Sequence, residues 1–112
     1  MMIEVLLPIK TVSVMNTREH WSVRARRAKL HRMTAQLALV GHVAPGLPVT
    51  ITMTRISTGT LDGDNLQSGC KAARDGIADW LGADDGDPLV TWVYAQQKGK
   101  RAEYGLIVRV GK

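Results

Sequence analysis

Two clusters of carboxylates hold the residues best suited to chemistry. Asp62 and Asp64 stand one residue apart in Asp62-Gly63-Asp64-Asn65-Leu66, and Asp84-Asp85-Gly86-Asp87 follows further along the chain. Oxygen donors at this density suit a hard divalent cation, and magnesium needs only one or two carboxylates because it keeps several waters. Asp62, Asp64 and one aspartate of the 84–87 turn would therefore suffice. An ion held this way generates a nucleophilic hydroxide and neutralises charge on a phosphate, the two requirements of phosphodiester hydrolysis. Lys71 would stabilise developing charge or assist the leaving oxygen. Asn65 would orient a ligand carboxylate.

The same residues also read as local structure. Asp64-x-x-Gln67 resembles a capping box, an aspartate at a helix start suits the macrodipole, and Asp-Gly and Asp-Pro are turn dipeptides. A geometric condition separates the readings: the 84–87 turn must fold back within coordination reach of Asp62 and Asp64, or only the cap remains. A calcium loop is set aside because the twelfth position from Asp62 is Ala73 rather than Glu. Zinc is set aside because the chain has one cysteine and three scattered histidines.

The segment between the clusters patterns as a helix from about Asp64 to Leu81. Leu66, Cys70, Ala73, Ile77 and Leu81 form its apolar stripe, and Gly82 ends it. Lys71 and Asp75 each project within about 20° of Asp64 on the opposite side, flanked by Gln67 and Ser68. Pro48 to Ile56 alternates as a strand, and Ser57 to Thr60 deliver Asp62 from its end. Upstream, residues 2–8 pattern as a first strand. Asn16 or Thr17 can cap a helix running from near Arg18 to about Val40. In that helix Val23, Leu30, Met33, Leu37 and Val40 are expected to face the core, with Arg24, Arg27 and His31 opposite. Leu89 to Gln96 and Glu103 to Val110 alternate as two strands, and Gln97 to Arg101 between them reads as a basic hairpin tip. The order β-α-β-α-β-β predicts a single α+β domain over residues 1–112, a mixed sheet of about four strands covered by two helices.

With 112 residues, 45% of them hydrophobic, the chain is long enough for a core yet small enough to gain from burial against a second copy. The apolar first residues contain Glu4 and are too few for a signal-peptide core or a membrane span. Cys70, the lone cysteine, excludes an internal disulfide and suits a reducing compartment, so a cytoplasmic location is expected. The net charge of +5 favours an anionic partner. Seven of fifteen basic residues precede residue 33, whereas seven of ten acidic residues lie between 62 and 87. A cation held between carboxylates and phosphate reconciles the two signs. Nucleic acid is the expected partner, with Arg18, Arg24, Arg27 and His31 on the first helix and Lys98, Lys100 and Arg101 at the tip as candidate contacts.

Three separated stretches, Asp62-Gly63-Asp64-Asn65-Leu66-Gln67, Lys71-Ala72-Ala73-Arg74-Asp75-Gly76-Ile77 and Asp84-Asp85, agree in order and spacing. Together they resemble the signature of the RusA family of Holliday-junction resolvases of bacteria and their phages. Asn16-Thr17-Arg18-Glu19-His20-Trp21 is similar to phage-borne members. The resemblance implies a RusA-like fold and a homodimeric endonuclease that uses magnesium, or manganese in its place, to resolve four-way junctions by paired symmetric nicks in DNA recombination and repair. It implies metal-binding aspartates at Asp62, Asp64 and Asp85, an essential lysine at Lys71, and supporting positions at Asn65, Asp75 and Asp84. Two departures stand out: Ser68-Gly69-Cys70 adds about a helical turn before the lysine, and Ser57 to Thr60 replace a run of arginines. Two rival readings are a non-catalytic nucleic-acid-binding phage accessory protein and a flap or branched-DNA nuclease of the same chemistry.

Overall fold

Threonine alternating with Val, Ile and Met along Val49–Ser57 makes strand β2, whose one face is buried and whose other is half-exposed. The remaining elements of this computed structural model, which describes residues 2–12 and 19–112, are β1 (Ile3–Leu7), α1 (Trp21–Leu39), α2 (Gly63–Leu81), β3 (Val90–Lys98) and β4 (Gly105–Gly111). They form one α+β domain with a mixed four-stranded sheet in the order β1-β4-β2-β3. β2 pairs in parallel with β3, placing Ile51 opposite Trp92 and Met53 opposite Tyr94. On its other side it pairs antiparallel with β4, placing Ile51 opposite Val110 and Met53 opposite Val108. β1 closes the far edge against β4, with Val5 opposite Val108.

The buried face of the sheet supplies Leu7, Ile51, Met53, Leu106, Val108 and Val110 to the core. α2 meets it with Leu66, Cys70, Ala73 and Ile77, the stripe that the periodicity predicts. Fully burying a side chain such as Ile77 contributes about 1.5–3 kcal/mol relative to leaving it in water. The ends of α2 are also sequence-encoded. Asp62 is its N-cap, and Gly82 stops it in the left-handed conformation at φ 70°, where a side chain would be strained.

α1 reverses its predicted orientation. Leu30, Leu37 and Val40 are 60%, 69% and 74% exposed, and Val23 and Met33 are exposed as well. The face that is buried carries His31, Ala35 and Leu39. Small residues explain the choice. α1 runs alongside α2 in the same direction, and the two backbones meet where a Cβ added to Gly76 would strike the carbonyl oxygen of Arg32 and come within 3.0 Å of the Ala35 Cβ. A leucine in place of Ala35 would hold the helices apart at this point. Arg32 and Gln36 then both donate to Asp79, each at 2.7 Å. The expected caps Asn16 and Thr17 lie outside the described residues; the N-cap is His20, whose side chain accepts from the Ser22 N–H at 3.2 Å.

β3 and β4 are likewise not a hairpin. They flank β2 on opposite sides, so the 99–104 segment crosses the end of β2, with Gly99 N–H donating to the Ser57 carbonyl at 2.8 Å. Alternation marks both segments as strands but carries no information on which strands pair. The nine residues of β3 find a partner of equal length in β2.

Candidate functional site

The loop that brings Asp62 to the start of α2 is held from beneath by two residues. Gln96 on β3 brackets Leu61, accepting from its N–H at 2.9 Å and donating to its carbonyl at 2.8 Å. Arg55, buried on β2, donates to the Gly59 carbonyl at 3.1 Å and to the Thr11 hydroxyl at 2.8 Å. Asp62 then caps the helix: its Oδ1 accepts from the backbone N–H of Asn65 at 2.9 Å and from the Asn65 side-chain amide at 2.8 Å. The cap is therefore Asp62 and not Asp64, which sits exposed in the first turn. Asn65 orients the Asp62 carboxylate, as the sequence suggests.

The second acidic cluster divides its labour. Asp84 and Asp87 build the turn, Asp84 Oδ1 accepting from the Gly86 N–H at 3.1 Å and Asp87 Oδ1 from the Leu89 N–H at 2.9 Å. Asp85 alone reaches α2. Lys71 Nζ donates to Asp75 Oδ1 at 2.6 Å and to Asp85 Oδ2 at 3.1 Å. The hydrogen bond to Asp75, helped by that to Asp85, raises the Lys71 pKa above its usual value. The hydrogen bond and charge of Lys71 hold Asp85 below the ordinary carboxylate range. The turn is anchored also by Arg74 and Trp92, Arg74 Nε lying 3.6 Å from the same Asp85 Oδ2. Arg74 donates to the Asp85 carbonyl at 2.7 Å and to the Tyr94 hydroxyl at 2.9 Å, and its guanidinium lies 4.5 Å from the centre of the Trp92 ring. The Trp92 indole N–H donates to the same carbonyl at 3.0 Å.

The turn thus folds back onto α2 at Lys71. That lysine lies seven residues beyond Asp64 along the helix, about 10 Å of rise. Among the described residues no three His, Cys, Asp or Glu side chains come close enough to share a metal ion. Asp62, Asp64 and Asp85 are accordingly not gathered into one ligand set, and the lysine ammonium takes the place beside Asp85 that a cation would fill. The three-aspartate arrangement set as the condition above is thus not formed among the described residues, and a cation at the start of α2 would rest on Asp62 and Asp64 alone, magnesium needing one or two carboxylates completed by water and phosphate oxygens.

Between α1 and α2 lies a cleft of about 200 Å³ lined by Arg24, Arg27 and His31 from one helix and Ser68, Lys71 and Asp75 from the other. The three α1 residues expected to point away from the core thus face α2. Arg27 forms a two-pronged pair with Glu19, both contacts at 2.7 Å. Burial, reinforced by the charge of Arg27, lowers the His31 pKa and favours its neutral form. Arg24 is exposed at the rim. Lys98, Lys100 and Arg101 are exposed where the chain crosses the Ser57 end of β2, the end from which the 58–62 loop leaves for Asp62. Arg18 lies outside the described residues. Cys70 is buried, and burial pushes its thiol up to about 11, which favours the neutral thiol of a packing residue.

Sequence reasoning missed Arg74, Trp92, Tyr94, Gln96 and Arg55. Alternation along β3 places Trp92 and Tyr94 on the helix-covered face, and Arg74 follows Lys71 by three residues, which offered a partial signal. Neither a family model nor a curated protein matches the chain.

Proposed function

We propose that the protein is a magnesium-dependent, structure-specific endodeoxyribonuclease that resolves four-way DNA junctions by paired symmetric cleavage, in the manner of the RusA resolvases it resembles. One observation carries this reading: an exposed face of α2 runs from Asp62 and Asp64 at its positive end to Lys71, beside a cleft rimmed by Arg24 and Arg27. Asp62 and Asp64 would hold the ion, which when bound supplies a hydroxide-forming water and neutralises phosphate charge. The chain's own residues do the rest. The dipole of α2 is positive at its N-terminal end and favours an anion there. Lys71 can exchange a carboxylate for a phosphate oxygen, since its side chain is 58% exposed. Arg24 and Arg27, with Lys98, Lys100 and Arg101 near the Asp62 end, position the DNA backbone without reading its sequence. Two cuts related by symmetry call for two copies of the chain.

A second reading, a DNA-binding accessory protein without catalysis, is favoured by the engagement of Asp85 with Lys71. Purified protein incubated with four-way, flap and linear DNA, with and without magnesium, separates them. Asp64→Asn is expected to lower magnesium-dependent nicking of the four-way junction by more than about a hundredfold while leaving binding intact. Undiminished cleavage by that variant would refute the proposed site, and binding without nicking by the wild type would select the second reading.

A further inference from the structure

The exposed apolar residues of α1 are not scattered. Val23, Leu30 and Leu37 repeat every seven residues, and Arg26, Met33 and Val40 repeat in the alternate place, so the six form the a and d positions of a coiled-coil seam. All six are exposed. On a helix of 100° per residue this seam lies roughly 170° from the face formed by His31, Ala35 and Leu39 that packs in the interior. A chain this short has little reason to solvate Leu30, Met33 and Leu37 along one side of a helix, and an apolar strip of this kind marks an interaction surface.

We infer that this seam pairs with the same seam of a second copy of the chain, antiparallel about a two-fold axis near the middle of α1. Charge decides both the occupant and the direction. The first half of α1 carries Arg24, Arg26, Arg27, Lys29 and Arg32, and the stretch from Met33 to Val40 carries no charge at all. Parallel pairing would stack the two basic halves on each other. Antiparallel pairing sets each basic half over the partner's neutral half, with Leu30 against the partner's Met33 and Arg26 against the partner's Leu37. It also meets a need of the helix end. α1 has no basic residue in its last turn and ends at Val40 in ordinary helical conformation, so its terminal carbonyls lack a cation of their own. Arg26 of the other copy arrives there, where the helix dipole is negative.

The geometry has a consequence for the candidate site. Because α2 and the seam lie on nearly opposite sides of α1, the four helices stack in the order α2, α1, partner α1, partner α2. At helix spacings of about 8–10 Å, the two α2 helices lie roughly 25–30 Å apart. The inference does not rest on the nuclease reading, since solution mass tests it with no reference to DNA.

Sedimentation of the wild-type protein is expected to give twice the 12.3 kDa chain mass. Leu30→Glu is expected to weaken the dimer by at least about a hundredfold, because it buries a carboxylate at the centre of the seam. Leu6→Glu, at a residue equally exposed on the opposite face of the sheet, leaves the dimer intact. Direction is read by oxidation: a chain with Leu30→Cys cross-links to a chain with Met33→Cys, and Leu30→Cys does not cross-link to itself. A wild-type protein of single-chain mass overturns the inference, and so does a dimer that persists in both Leu30→Glu and Leu37→Glu. Single-chain protein that sediments with vesicles of anionic lipid would instead assign the strip to a membrane surface. Self-linking of Leu30→Cys would overturn the antiparallel register.

Discussion

The two helices are the same length, nineteen residues each, and differ in almost everything else. α2 is capped by Asp62, stopped by Gly82, and buries Leu66, Cys70, Ala73 and Ile77 in its own chain. α1 is capped by His20, ends at Val40 in ordinary helical conformation, and turns Leu30, Met33 and Leu37 outward while burying Leu39. The contrast shows what helical periodicity encodes. A stripe of apolar residues marks the face that avoids water, and it does not say whether the cover comes from the same molecule. For α2 the two coincide; for α1 the chain's own core takes the side with small residues, because only that side admits the close approach at Gly76.

This contrast can be broken most forcefully by truncating one residue from each stripe. Ile77→Ala removes a fully buried side chain and is expected to cost about 2–5 kcal/mol. Leu37→Ala should change the folding free energy of the isolated chain by less than about 0.5 kcal/mol. Urea unfolding in a Leu30→Glu background checks both, and equal costs would dissolve the distinction. A smaller effect sharpens the account of how α2 begins. Asp62→Ala should cost about 1 kcal/mol through loss of the cap, and Asp62→Asn only a few tenths. If Asp62 also serves a metal, both substitutions abolish nicking although only one destabilises the helix, and cleavage assays beside thermal melts show whether the two losses separate.

The smallest effect concerns the buried histidine of α1. Its folded pKa lies below 6.5, so below that value the unfolded chain binds a proton that the folded chain resists. Stability is complete above 6.5 and falls as the pH drops through the folded pKa. His31→Gln should flatten this slope in unfolding midpoints measured across that range. The Lys71–Asp85 pair acts in the same direction in a more acidic window: its contribution is present above 3.8 and is lost as pH falls through the lowered pKa of Asp85.

Much of the architecture was legible in the chain because local pattern and final environment agree. The alternation of β2, the stripe of α2 and the glycine after it all point to one structure, and the four-stranded sheet with two helices follows from their order. What escaped is what depends on partners distant in sequence. Nothing in Leu89 to Val110 tells that two alternating strands will be separated by β2. In the candidate site, the start of α2 was legible to within two residues, although the cap is Asp62 and not the Asp64 that the capping-box pattern marks. The attachment of Asp85 to Lys71 rests on Arg74 and Trp92, whose contacts with the turn exist only once β3 lies beside α2.

Gly76 has a role beyond tight packing. It is the point where α1 and α2 touch, and the cleft with Arg24, Arg27 and Lys71 opens one to two turns closer to the helix starts. The missing methyl group thus acts as the pivot of a wedge whose mouth is the cationic cleft. A side chain inserted there would be a shim, prising the mouth wider without touching any residue that faces it. The aperture of the cleft is in this sense set by an atom that is not present.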